Sequence, residues 1–187
     1  WIKKNNINRP LYWEKFYGVW HYRKWDKYIK VNFCDNLPMN HISWYEACAF
    51  CRWLSKNSTD SKSRIEYRLL KEIEWEYLAV NGGSIIDSNL DYLQGGTVPV
   101  NCSNNKNKWG VYGLFGNVWE WCVDPIYPYD GFKIDPVYRE MSYPFFGFKK
   151  ICRGGSWATP SFLINSKYRN AQLPDCRMQY IGFRICI

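Results

Sequence analysis

The chain has 187 residues, 47% hydrophobic and 22% charged, which is the size and composition of one globular domain and excludes intrinsic disorder. A globule of this length buries roughly 70% of its unfolded surface, so it needs no disulfide framework or structural metal to stay folded. The net charge is +8, but the cations are scattered, with Lys3-Lys4 and Lys149-Lys150 the longest clusters, so no nucleic-acid partner is expected. No apolar run approaches the ~20 residues of a membrane span, so no membrane partner is expected either.

Residues 1–39 carry Trp1, Tyr12, Trp13, Phe16, Tyr17, Trp20, Tyr22, Trp25 and Tyr28. The patterns YWEKF and VWHYR read as short strands, with no helix. So much aromatic surface is expected to pack on the domain or line a site. The chain opens on Trp1 and WIKKNN lacks the form of a signal peptide. The expectation is a piece of a longer polypeptide, with 1–39 an arm at the junction to an upstream domain and 40–187 the domain proper.

The first helix is predicted from Ser43. Ser43 and Glu46 have the spacing of a capping box, and Ala47, Phe50, Cys51 and Leu54 follow at helical spacing as one buried stripe. KNSTDSKS (56–63) is a loop. A second helix is predicted over about Glu72 to Val80, stopped by Asn81-Gly82-Gly83. Beyond residue 83, Gly and Pro recur and the chain reads as loops and short strands, closing with a strand in IGFRICI (181–187). Early helices followed by late strands make an α+β domain.

The late half holds the candidate sites. In GNVWEWCVD (116–124), Glu120 reads as a core carboxylate bonded to backbone or as a calcium ligand. DPIYPYDGF (124–132) is a proline-braced loop with two phenols. YRNAQLPDCR (168–177) gathers Arg169, Asp175 and Arg177, either as a grip for a zwitterionic or carboxylate ligand or as a solvated turn. The only histidines are His21 and His41, too few and too separated for an iron centre; His41 reads as a structural hydrogen-bonder. The eight cysteines, at 34, 48, 51, 102, 122, 152, 176 and 186, are irregularly spaced, and Cys48-x-x-Cys51 lies inside a helical pattern. They are expected to be free, mostly buried thiols in a reducing, cytoplasmic compartment.

SWYEACAFCRWL, RLLKEIEWEYLAVNGG, WGVYGLFGNVWEW, RGGSW and the closing GFR, in this order over roughly residues 40–187, resemble the formylglycine-generating-enzyme (sulfatase-modifying factor) domain. The resemblance implies a C-type-lectin-like α+β fold of two helices, short antiparallel strands and long loops. The oxidases of that family use two cysteines after RGGS. Those positions here are Thr159 and Ile164, so formylglycine-generating activity is not expected.

The segment from Asp124 to Arg184 is similar to the C-terminal domain of iron-dependent sulfoxide synthases of ergothioneine-type biosynthesis. Those enzymes join a thiol, or a selenium analogue, to the imidazole carbon of a histidine derivative with dioxygen. The resemblance implies that Fe(II) is held by an HxxxHxE motif in an N-terminal helical domain, the partner of this chain. Small-molecule thiol and histidine-betaine substrates are implied with it. It implies a catalytic tyrosine at Tyr127 or Tyr129, and substrate contacts at Phe132, Trp157, Arg169, Asn170, Gln172, Asp175 and Arg177. The chain departs from that pattern at Ala171, Gln172 and Cys176, leaving Asp175 or Arg177 to compensate. A weak calcium site is implied at Gly116, Val118 and Glu120, with Asn89 and Leu90 at a second, because Gly113 stands where the family uses Asn or Asp. Leu70-Lys71 replaces a Pro-Thr helix start, which removes an N-cap worth ~1 kcal/mol. The alternative reading is a catalytically inactive lectin-like binding or interaction module.

Overall fold

The computed structural model describes residues 13–24, 27–30, 36–58, 65–101, 106–141 and 143–187. Trp1, Lys3, Lys4, Tyr12, Trp25, Cys34, Cys102 and most of the 56–63 loop lie outside the described residues. In the aromatic arm, strands β1 (Trp13–Phe16), β2 (Val19–Lys24) and β3 (Lys27–Lys30) form an antiparallel ribbon, as YWEKF and VWHYR predict.

Helix α1 (Trp44–Asn57) starts where the capping box places it. Ser43 Oγ accepts the Glu46 amide at 3.2 Å, and Glu46 Oε2 accepts the Ser43 amide at 2.8 Å. Of the predicted stripe, Ala47 and Cys51 are buried, but Phe50 is 36% exposed. It sits at the rim of the contact, edge-on to Phe183.

Helix α2 (Glu72–Val80) ends at Asn81 as predicted. Lys71 offers no side-chain cap. The expected loss is nevertheless made good from a distance, because Asp124 Oδ2 accepts the Glu72 amide at 2.6 Å. A carboxylate from a strand 52 residues away caps the helix and faces its positive end.

The central sheet has the order β7-β6-β5-β8, from β5 (Trp119–Pro125), β6 (Lys150–Arg153), β7 (Arg169–Gln172) and β8 (Ile181–Phe183). β8 runs parallel to β5 and the other pairs are antiparallel. IGFRICI is not one strand. The chain leaves the central sheet at Arg184 and continues as β9 (Ile185–Cys186), which pairs with β4 (Arg68–Leu69).

Strand alternation puts two cores on the two faces of this sheet. Trp75 and Ala79 of α2 pack with Cys122, Ile151, Leu114 and Phe115. Ala47 and Cys51 of α1 pack with Trp119, Trp121, Cys152 and Ile181. Gly154 explains the first glycine of RGGSW. It has φ +95°, and a Cβ there would stand 2.5 Å from the Leu114 carbonyl.

The buried cysteines behave as small apolar residues. Burial pushes the Cys51 thiol to about 11 and the Cys122 and Cys152 thiols well above their ordinary range. Cys48, Cys51, Cys122, Cys152, Cys176 and Cys186 are all free.

Candidate functional site

Glu72 and Glu76 are four residues apart and share one face of α2. That face meets two arginines that lie directly opposite each other on β6 and β7, Arg153 and Arg169. Arg169 grips Glu72 with both prongs, Nε to Oε1 at 2.6 Å and Nη2 to Oε2 at 2.8 Å, and its Nη1 donates to the Tyr127 carbonyl at 3.0 Å. Arg153 is 0% exposed. It donates to Glu76 at 2.7 Å and to the carbonyls of Ser166, Lys167 and Tyr168. A buried guanidinium of this kind is tolerable only because it is paired and hydrogen-bonded.

The phenol of Tyr129 closes the cluster. Its hydroxyl lies 3.4 Å from Glu76 Oε2, and the Arg169 guanidinium stands 4.2 Å over its ring. Partial burial pushes the phenol up, while the Arg169 charge pulls it down. Tyr127 is placed differently. Its backbone carbonyl is used by Arg169, and its hydroxyl abuts Gly147, where a Cβ would meet it at 3.0 Å.

The other predicted contacts fall on the opposite face. Asn170 pairs with Cys152 and Gln172 with Lys150, so both belong to the α1 side of the sheet, whereas Arg169 belongs to the α2 side. There the 173–178 loop is tied to the start of α1. The Trp44 amide donates to the Pro174 carbonyl at 3.0 Å, the His41 amide to the Met178 carbonyl at 3.1 Å, and Arg177 Nε to Glu46 at 2.9 Å. Arg177 Nη1 holds the Asp175 carbonyl at 3.1 Å. Lys150 lies 4.2 Å over the Trp44 ring, and Trp44 Nε1 donates to the Cys122 carbonyl at 2.9 Å. Gln172 Nε2 reaches Asn170 Oδ1 at 3.5 Å.

This geometry bears on several of the expected contacts. Arg169 is not a spare cation for a ligand, because all three of its nitrogens are committed. Trp157 is 3% exposed and packs against Tyr92 and Tyr180. Tyr180 bonds the first residue of β5, whereas Tyr127 and Tyr129 follow its last, roughly 20 Å along the strand. Phe132 does lie in the tyrosine loop, exposed and edge-on to Phe146.

Glu120 is likewise engaged. Arg184 binds it through Nη2 at 2.7 Å and Nε at 3.0 Å, and Trp75 Nε1 donates to it at 3.0 Å. Calcium asks for six to eight oxygens with free negative charge. Here the carboxylate is neutralised by a guanidinium, and Gly113 has no side-chain oxygen. Gly116, Val118 and Glu120 therefore do not fit the ion, whereas at the second position Asn89 Oδ1 is buried with no hydrogen-bond partner.

Among the described residues no three His, Cys, Asp or Glu side chains are gathered as a metal site. His41 is buried with Nδ1 2.8 Å from Asn40 Oδ1, and burial lowers it to about 4. Thr159 and Ile164 are brought together against Gly155, so the two positions that hold cysteines in the oxidases are neighbours here without sulfur.

Glu72, Glu76, Arg153, Lys150 and Trp44 escape the sequence reading. The i, i+4 carboxylates at the start of α2 were the available signal. Their partners lie 77 and 97 residues away, beyond any local pattern.

A family profile described as the sulfatase-modifying factor enzyme 1-like domain matches residues 1–187. A hercynine oxygenase of Mycobacterium tuberculosis is 29% identical over 166 residues, covering 79% of this chain and 36% of the relative. A formylglycine-generating enzyme of Streptomyces coelicolor is 30% identical over 181 residues, covering 80% and 52%. The chain thus spans about a third to a half of these relatives. Among solved structures, PvdO from Pseudomonas aeruginosa superposes with a TM-score of 0.67 at 24% identity, covering 98% of this chain and 73% of that one. The fold is the α+β, C-type-lectin-like fold of formylglycine-generating-enzyme type that the motif order implies.

Proposed function

The chain belongs to the sulfatase-modifying factor enzyme 1-like family, and on that premise we propose that it is the substrate-binding half of an oxygen-dependent sulfoxide synthase. The reaction would join a thiol to the imidazole of a histidine derivative. The likeness to hercynine oxygenase supports the substrate class. The observation that carries the reading is the phenol of Tyr129, set at the end of β5 between Glu76 and Arg169. The iron would be held outside the described residues, on a helical partner domain.

In this reading Tyr129, rather than Tyr127, is the proton donor. Glu76 accepts its hydroxyl hydrogen and Arg169 fixes the ring from above, so a proton is held at a defined atom. Arg169 acts as a positioning residue and not as a substrate grip. The thiol substrate is assigned to the α1 side. There Arg177 keeps Nη2 outside its bonds to Glu46 and Asp175, for a carboxylate, and Asp175 is exposed for an ammonium. Asn170 and Gln172 add amides beside them.

The test is co-expression or fusion with an iron-binding helical half, followed by assay for an oxygen-dependent C–S product from histidine betaine with cysteine or γ-glutamylcysteine. Product that depends on Tyr129 supports the proposal; no product with any thiol donor overturns it. A second reading is a binding module without chemistry, favoured by the complete pairing of Arg169 with Glu72. Saturable thiol or betaine binding without turnover would select it.

A further inference from the structure

Helix α2 is apolar on both of its sides. Trp75, Leu78 and Ala79 enter the core, while Ile73, Tyr77 and Val80 are 69%, 60% and 59% exposed. The outer three lie at i, i+4 and i+7, which makes one stripe along the helix. Trp109 widens it. Its exposed ring stacks on Tyr77 at 5.4 Å and 23°, with Lys108 4.5 Å over the Trp109 ring. A surface helix turns polar groups to water, and a helix that is apolar all round is covered. Tyrosine, tryptophan and aliphatic side chains gathered on one exposed face have the composition of an interface centre.

The stripe is built to receive itself. Tyr77 stands near its middle, with Ile73 four residues before and Val80 three after. In an antiparallel copy related by a twofold axis at Tyr77, Ile73 meets the copy's Val80 and Tyr77 meets its counterpart. An isologous contact needs this symmetry, and an unrelated partner does not.

The charges agree with that orientation. The first turn of α2 carries Glu72 and Glu74, and its last turn holds no basic residue to face the carbonyl end. Lys71, exposed at the helix start, would come to the carbonyl end of the copy's helix. Antiparallel dipoles attract, whereas parallel pairing would set like ends together.

We infer that two copies of this chain pair through α2, antiparallel about a twofold axis at Tyr77, and bury Ile73, Tyr77, Val80 and Trp109. The stripe contains none of Tyr129, Arg169 or Arg177, so the pairing does not rest on the function proposed above. Four large side chains make the centre of a small interface, and a dissociation constant of about 1–100 µM is expected.

Sedimentation equilibrium of the 187-residue chain, loaded from about 1 to about 500 µM in reducing buffer, tests this. The expected result is a monomer–dimer equilibrium. A monomer throughout leaves the stripe to another protein or to another part of the polypeptide, and overturns the proposal. Ile73→Glu and Val80→Lys each place a charge that suits its own end of α2. Each, checked for native near-ultraviolet dichroism, should weaken pairing at least tenfold alone. Mixed in equal amounts they should pair again, because residue 73 of one copy meets residue 80 of the other. Leu93→Asp, at an exposed side chain on a separate loop, should leave the dimer intact. Dimers that survive both stripe variants, a mixture that fails to recover, or equal weakening by Leu93→Asp each overturn the proposal.

Discussion

Strand β7 faces two environments, and the contrast between them explains the molecule better than either alone. On its α2 side, Arg169 joins Arg153, Glu72 and Glu76 in a network whose charges balance and whose arginine nitrogens are nearly all used. On its α1 side, Asn170 and Gln172 stand beside a loop tied down by Arg177, with amides and one guanidinium edge to spare. The first region is nearly saturated, Arg153 Nε being left without a hydrogen-bond partner, and it ties the tyrosine loop to α2. The second keeps Arg177 Nη2 outside its bonds to Glu46 and Asp175, which supports the proposed ligand contact. Residues one or three apart in sequence have opposite roles because a strand turns successive side chains to opposite faces.

The largest effect should come from cutting the saturated side. Arg153→Ala leaves Glu76 half-buried without its main partner and empties a buried site, and is expected to cost ~3–5 kcal/mol. For a chain of this size that lowers the melting temperature by roughly 10 °C. Arg177→Ala, at a half-exposed ion pair, should cost under about 1 kcal/mol. Equal losses in urea unfolding would erase the distinction between the two faces.

Next in size is the tyrosine pair. In the complete enzyme, Tyr129→Phe should lower the rate by about 10²-fold, the lower range for loss of a positioned proton donor. Tyr127→Phe should stay within about twofold, since only its backbone carbonyl touches the network. The reverse pattern in kcat would move the chemistry to Tyr127 and separate it from the Arg169 cluster.

His41, just before α1, gives the fold a pH dependence. Burial lowers His41 from its ordinary 6.5 to about 4. Between these values the unfolded chain binds a proton that the folded chain refuses, so stability rises with pH. The contribution is complete above about pH 6.5 and is lost as pH falls towards 4, amounting to roughly 2–3 kcal/mol. His41→Gln should flatten the stability profile across that window. An unchanged slope would show that other groups carry it.

A smaller effect than at His41 is expected at the remote cap. Asp124→Ala should destabilise by ~1 kcal/mol, as should Ser43→Ala at the local cap of α1. Matching losses in thermal unfolding would show that a cap works equally well from a neighbouring strand and from the preceding residue.

Much of the frame was legible in the sequence because its causes are local. The Ser43 capping box and the start and stop of α2 each follow from residues within a few positions. Membership of the family was legible for the related reason that its motifs are short and occur in order. The site was legible only in part. Tyr129 and Arg169 were named and do meet, but Trp157 lies at the far end of β5 and Asn170 and Gln172 face the other core. Glu72, Glu76 and Arg153 carried too little local signal to be named.

The sequence by itself therefore determined the two helices, their boundaries and the α+β class, because hydrogen bonds and apolar stripes at i+3 and i+4 are written in adjacent residues. Only the tertiary structure decided which charges pair, which capping group serves α2 and which face each β7 residue takes. Those outcomes depend on the order β7-β6-β5-β8. That order brings Arg169 to a carboxylate 97 residues away and Asp124 to an amide 52 residues away, through packing of whole faces that no single segment encodes.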